Sequence, residues 1–135
     1  MIILLDTNII MDALQERQPF DADAKEILRR GQSGEIKCLI TANTTTDIFY
    51  LYSRAHNNET AKKALRFLLT NYSVVSVTQE DCLEALVLPI DDFEDALVVI
   101  CAQKAGADFI VTRDEKFLQN KSLVKIINPK NLLEL

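Results

Sequence analysis

Ile2-Ile3-Leu4-Leu5-Asp6-Thr7-Asn8, at the start of the chain, is the stretch that decides the fold. Four apolar residues in a row predict a strand that is buried on both faces, as in the centre of a parallel sheet. An acid ends the strand, and Thr7 or Asn8 can cap a helix that follows it. The stretch therefore predicts a strand-to-helix turn with a carboxylate at the carboxyl end of a buried strand.

The same alternation of strand and helix patterns continues along the chain. Further strands are predicted at 37–40, 74–77, 109–112 and 124–127, and helices at 21–34, 41–54, 58–69, 79–88 and 92–104. Strands that alternate with helices form a parallel sheet with helices on both faces. We therefore expect an α/β protein, a three-layer α/β/α fold with a parallel sheet of about five strands, built by residues 1–135 as a single domain.

Composition excludes several functional classes. Hydrophobic residues make up 48% of the 135 residues and charged residues 26%, as in a soluble globular protein. The three cysteines (Cys38, Cys82 and Cys101) lack metal-site spacing and are expected to be buried, reduced thiols. A lone histidine, His56, argues against a histidine-based zinc site or a Ser-His-Asp triad. No signal peptide or membrane span is apparent, and we expect a cytoplasmic protein.

Acids recur where predicted strands end or helices begin. Asp6 and Asp114 follow two strands, Asp92 and Asp95 open a helix, and Asp47 lies within another. Ligands of parallel sheets bind beyond the carboxyl ends of the strands, so these side chains can meet at one edge. Unpaired carboxylates that meet repel one another unless a cation lies among them, and a hard divalent ion is the expected partner.

Each acid also has an ordinary structural interpretation. Asp6 and Asp114 suit turns or caps, Asp92 and Asp95 complement a helix dipole, and Asp47 fits a poorly formed helix start. The helix after Asp95 is apolar nearly all round and must be buried, which favours a functional role for that residue. The remaining acids are interpreted as solvated or capping groups; they include Asp12, Asp81 and Asp108.

The net charge of −5 argues weakly against nucleic-acid binding, although bound divalent ions would offset much of it. Basic residues on the helices after the second strand are either a solvated face or a rail for phosphates. These residues are Arg54, Lys62, Lys63 and Arg66. Arg113 and Lys116 are better candidates for substrate contacts, because they lie beside Asp114.

Four segments together resemble the PIN-domain family in order and spacing. They are I-I-L-L-D-T-N-I-I-M-D from residue 2, T-x-x-D-I-F-Y-L from residue 44, D-F-E-D-A-L from residue 92 and A-D-F-I-V-T-R-D from residue 107. The resemblance implies a parallel five-stranded sheet and a ribonuclease site that uses Mg²⁺ or Mn²⁺. It also implies site carboxylates at Asp6, Asp47, Asp95 and Asp114, with Asp92 as an accessory. Small stand-alone members are similar to VapC-type toxins, which form homodimers and are silenced by an antitoxin chain.

The resulting hypothesis is a metal-dependent endoribonuclease that hydrolyses RNA. Its catalytic residues are Asp6, Asp47, Asp95 and Asp114, its metal ligands Asp6, Asp92, Asp95 and Asp114, and its substrate contacts Asn8, Thr112, Arg113 and Lys116. Asp47 stands where the family commonly has Glu, so its shorter arm is expected to reach a metal only through water. A homodimer is expected from the aromatic helix segment 49–52. The alternatives are a catalytically idle PIN-like binding module and, fitting less well, a phosphatase or phospho-acceptor domain.

Overall fold

The computed structural model describes residues 1–135 and contains five strands and eight helices. The strands are β1 (Ile2–Leu5), β2 (Lys37–Thr41), β3 (Ser73–Val75), β4 (Phe109–Val111) and β5 (Lys125–Ile127). The helices are α1 (Thr7–Leu14), α2 (Asp21–Ser33), α3 (Ala42–Ala55), α4 (Asn58–Asn71), α5 (Gln79–Val87), α6 (Phe93–Lys104), α7 (Glu115–Leu118) and α8 (Pro129–Leu133).

All five strands are parallel, in the order β3-β2-β1-β4-β5, which confirms the predicted fold class. β1 is central, and Leu5 at its end is in register with Val111 at the end of β4. From β1 the chain first forms β2 and β3 on one side of β1, and then crosses to form β4 and β5 on the other side. Such a reversal opens a crevice at the carboxyl ends of the strands, between β1 and β4.

The core has two layers because side chains alternate between the faces of each strand. Ile3 and Leu5 belong to the layer that includes residues of α1, α2 and α8, whereas Leu4 belongs to the layer that includes α6. α6 is buried from Ala96 to Ala102, which explains why it is apolar nearly all round. Its amino terminus is thereby fixed at the carboxyl edge of the sheet.

The cap of α1 and the two shortest helices differ from the sequence-based expectations. α1 is capped by Asp6, whose carboxylate accepts a hydrogen bond from the Thr7 amide, and not by Thr7 or Asn8. α7 and α8 were not predicted, since four and five residues are too few to show a helical period. Their signals were nevertheless present, in the capping residue Asp114 and in the pair Asn128-Pro129.

Asp12 is the clearest departure from the expected side-chain environments. It was interpreted as a solvated or capping acid, but it is fully buried and pairs with Arg113. Cys38 and Cys101 are buried free thiols as predicted, while Cys82 is partly exposed. None of the eight helices combines the length and the apolar character needed to cross a bilayer.

Candidate active site

An open cleft of about 410 Å³ lies at the carboxyl edge of the sheet. The turn after β1 contributes Asp6, the second turn of α3 contributes Asp47, and the start of α7 contributes Asp114. α6 opens into the same cleft. The structure thus brings together all five acids that the sequence singled out, and the acidic lining is Asp6, Asp47, Asp92, Glu94, Asp95 and Asp114.

Asp6 is held by a hydrogen-bond network that joins β1 to β4. One carboxylate oxygen, Oδ1, accepts the Thr7 amide at 2.9 Å. The other, Oδ2, accepts the Thr112 hydroxyl at 2.8 Å and the Asn8 amide group at 3.3 Å. Thr112 is fully buried, and its hydroxyl also accepts the backbone N–H of Asp114 at 3.1 Å. The side chain of Thr112 therefore links the two acids on either side of the crevice.

Asp92 and Asp114 cap helices and line the cleft at the same time. Asp92 Oδ1 accepts the Asp95 amide at 2.9 Å, and Asp114 Oδ1 accepts the Lys116 amide at 2.9 Å. In each case the second carboxylate oxygen, Oδ2, is left for another partner. One carboxylate can therefore cap a helix and face the cleft, so the capping and functional interpretations of these acids are compatible.

Burial and repulsion between neighbouring carboxylates raise the pKa values of several of these acids. Burial raises the pKa of Asp95 to about 7, and repulsion by Asp92, Asp6 and Asp114 adds to this rise. Burial also raises the pKa of Asp6, with further repulsion from Asp114 and Asp47, although the hydrogen bond from Thr112 opposes the shift. The pKa of Glu94 is raised by burial and by neighbouring carboxylates. The cleft therefore has a deficit of positive charge.

Few basic side chains lie close enough to neutralise these carboxylates. Arg17 is the only basic residue that lines the cleft, and its guanidinium bonds Gln15 Oε1 at 2.7 Å and lies 3.7 Å from Asp12. None of the six acids of the cleft takes part in a salt bridge. No histidine or lysine lines the cleft.

The donor set fits a hard divalent cation. Carboxylate oxygens are the ligands that Mg²⁺ and Mn²⁺ prefer, and mutual repulsion among the acids would be relieved by an ion between them. No group of three or more His, Cys, Asp or Glu side chains is already arranged to hold a metal ion. The carboxylates share a cleft without forming a complete coordination shell.

The proposed substrate contacts are distributed unevenly. Asn8 lines the cleft, and Thr112 is buried behind it. Lys116 is exposed at the start of α7, outside the residues that line the cleft, and Arg113 lines a separate cavity. Sequence reasoning missed Glu94, although it lies within D-F-E-D beside two recognised acids. It also missed Arg17, for which the sequence offers no signal.

The protein thus has a parallel α/β/α fold with a cleft lined by carboxylates where the strand order reverses. A family model described as the PIN domain matches residues 2–116, and the chain belongs to that family. The resemblance first seen in four short motifs is thereby confirmed over most of the chain. No significant match is found among curated protein sequences.

Several solved structures with the same fold are described as toxins or as toxin–antitoxin complexes. A chain of VapBC2 from Rickettsia felis, bound to a promoter DNA fragment, has a TM-score of 0.68 and 18% identity, covering 95% of this chain and 98% of that one. VapC20 from Mycobacterium tuberculosis, a toxin that cleaves the sarcin-ricin loop, has a TM-score of 0.69 and 19% identity, covering 85% and 92%. A chain of VapBC-1 from Haemophilus influenzae has a TM-score of 0.68 and 19% identity, covering 96% and 99%.

Proposed function

We propose that this protein is a metal-dependent endoribonuclease, acting as the toxin of a toxin–antitoxin pair. The observation that carries the proposal is the cleft at the carboxyl edge of the sheet, where six carboxylates gather and none is ion-paired. An arrangement so unfavourable on its own suits a site that binds divalent cations. Membership of the PIN family and likeness to VapC structures support the same activity.

In the proposed site Asp6, Asp95 and Asp114 hold Mg²⁺ or Mn²⁺, with Asp92 as an accessory ligand. A bound ion supplies Lewis acidity, since it lowers the pKa of a coordinated water and offsets charge on a phosphate. Thr112 and Asn8 keep the Asp6 carboxylate in one orientation through the hydrogen bonds described above. Asp47 completes the ring of acids and, because its side chain is short, acts through a water molecule.

The proposed substrate is the backbone of unpaired RNA, with an antitoxin protein as regulator. The proposed phosphate contacts are Asn8, which lines the cleft, and Lys116, which is exposed on α7 outside the residues that line it. An RNA loop suits an open cleft, because its bases and backbone can be splayed apart whereas a duplex cannot. Such a substrate and partner place the activity in the cytoplasm.

Cleavage is expected to require both a divalent ion and an unpaired strand. We expect end-labelled hairpin RNA to be cut in its loop with Mg²⁺ or Mn²⁺ and to remain intact in EDTA. A fully paired duplex of the same sequence serves as the control and should resist. Cleavage that persists in EDTA would contradict metal dependence, and retention of labelled RNA without cleavage would favour the idle binding module.

A homodimer is proposed from exposed apolar residues on α3. Tyr50 is 57% exposed and Leu51 is 39% exposed, on a helix whose Ile48 is fully buried and whose Phe49 and Tyr52 are partly buried. Light scattering at tens of micromolar should give twice the 15.3 kDa chain mass. We expect Leu51→Glu to shift the protein to monomer and Leu86→Glu, on the exposed side of α5, to leave the dimer intact. A wild-type protein that scatters as one chain would contradict the proposal.

A further inference from the structure

An ion pair between a buried aspartate and a partly exposed arginine lies beside the acidic cleft, and neither residue has a role in the proposed mechanism. Asp12, on α1, is fully buried, and both of its carboxylate oxygens accept hydrogen bonds from Arg113. The distances are 2.5 Å from Nε and 3.0 Å from Nη2. The guanidinium fork is therefore bound along one edge in the bidentate geometry that arginine alone provides.

The face of the same guanidinium is covered as well. Phe20 lies against it, with the Arg113 Cζ atom 4.1 Å from the ring centroid. Arg113 lines a cavity of about 220 Å³ together with Phe20 and Pro129, and it does not line the acidic cleft. The Arg113 guanidinium is thus held on one edge by Asp12 and on one face by Phe20, and it points away from the acidic cleft. It is poorly placed to bind a phosphate in that cleft.

The backbone at Arg113 is tied to the same helix. Its amide N–H donates to Asn8 Oδ1 at 3.4 Å, and Asn8 Nδ2 donates to the Thr112 hydroxyl at 3.2 Å. Asn8 and Asp12 are four residues apart and so lie on one face of α1. Helix α1 therefore binds the turn of residues 112–114 at two points. Asn8 contacts the Arg113 backbone, and Asp12 contacts the Arg113 side chain.

We propose that Arg113 is a positioning residue, which Asp12 holds so that the turn presents the Asp114 carboxylate opposite Asp6. The inference rests on the proposed metal site, and it replaces the substrate contact that the sequence suggested for Arg113. A buried ion pair adds little net stability compared with an apolar pair of similar volume. Its advantage is geometric, because a bidentate fork permits one orientation of the turn where apolar contact permits several.

The test compares Arg113→Met with the double variant Asp12→Leu/Arg113→Met. The double variant leaves no buried unpaired charge, so it is expected to fold even if the single variant does not. In both, we expect the Mn²⁺ concentration that gives half of the thermal stabilisation to rise about tenfold or more, as for lost supporting contacts in metal sites. RNA cleavage should lose kcat by a similar factor, with KM within about twofold of wild type.

Lys104→Met is the matched control. Lys104 donates to Asp81 at 2.6 Å, and Asp81 is only 5% exposed, so the substitution likewise removes the basic partner of a buried acid. The pair lies at the end of α6 that is remote from Asp92 and Asp95. We expect Lys104→Met to lower the melting temperature but to leave the Mn²⁺ half-point, kcat and KM unchanged. Loss of stability alone is thereby separated from loss of positioning.

A metal-free measurement completes the test. Hydrogen exchange in EDTA should become faster in the peptide spanning residues 112–118 of the double variant, and should not change there in Lys104→Met. Unchanged exchange in that peptide would overturn the inference, whatever the response of wild type to Mn²⁺. A wild-type protein that Mn²⁺ does not stabilise would instead argue against the proposed metal site. A raised KM with an unchanged Mn²⁺ half-point would also overturn it, because Arg113 would then be a substrate contact.

Discussion

Replacing Asp95 by Asn is expected to stabilise the metal-free protein and to abolish its stabilisation by Mg²⁺ or Mn²⁺. The Asp95 carboxylate is repelled by Asp92, Asp6 and Asp114, and the substitution removes one of the repelling charges. Wild type should gain about 2.7 kcal/mol when the ion is present at a hundredfold excess over its Kd. For a chain of this size that gain corresponds to a rise of roughly 5–10 °C in melting temperature.

The gain from Asp95→Asn in EDTA should depend on pH in a defined direction. The pKa of Asp95 is about 7 in the folded protein, against an ordinary value of 3.8. Between these values the folded state binds more protons than the unfolded state, so this carboxyl makes stability fall as pH rises. Its destabilising effect is complete above pH 7 and absent below about pH 4. Differential scanning calorimetry should therefore find Asp95→Asn more stable than wild type at pH 8 and equal to it near pH 4.

Asp91→Asn provides the control for both measurements. Asp91 is exposed just before α6 and is not among the residues that line the cleft, and its replacement by Asn removes one carboxylate charge, as Asp95→Asn does. Its metal response should match that of wild type. Equal metal-induced shifts in Asp95→Asn and wild type would show that Asp95 is not part of a shared cation site.

The sequence was most informative where one strong local pattern decided the structure. The apolar run 2–5 predicted a strand buried on both faces, and it is the central strand of the sheet. Once the strands were ordered as parallel, their carboxyl ends had to meet, which predicted that Asp6 and Asp114 would approach one edge. The apolar character of residues 96–102 placed the start of α6 at that edge too, so Asp92 and Asp95 could be predicted with it.

Side-chain partners distant in the sequence could not be predicted in this way. Asp12 and Arg113 are 101 positions apart, and neither has a local pattern that names the other. Asp12 looks like a solvated acid on an amphipathic helix until the structure places an arginine against it. The interpretation of Arg113 as a phosphate contact failed to anticipate this pairing for the same reason, since proximity in sequence to Asp114 says nothing about the direction of its side chain.

The ends that cleavage leaves on the RNA depend on which group attacks the phosphorus. Attack by the RNA 2′-hydroxyl requires a free base to remove its proton; no histidine or lysine lines the cleft, and the proposed role of its carboxylates is to hold the ion. We therefore expect water to attack the phosphorus, so that a bond to the water oxygen forms while the bond to the 3′ oxygen breaks. The products are then a 5′-phosphate and a 3′-hydroxyl, whereas attack by the 2′-hydroxyl leaves a cyclic phosphate.

Mapping the termini after limited digestion distinguishes these outcomes. Asp95→Asn should reduce cleavage by about 10³-fold or more, since it removes a proposed ligand of the ion that offsets phosphate charge. Asp91→Asn, assayed in parallel, should cut at the wild-type rate and leave the same ends. Cyclic-phosphate ends would refute the water mechanism while leaving nuclease activity intact. Full activity in Asp95→Asn would instead refute the site itself, because an acid that Asp92, Asp6 and Asp114 repel would then have no part in the chemistry.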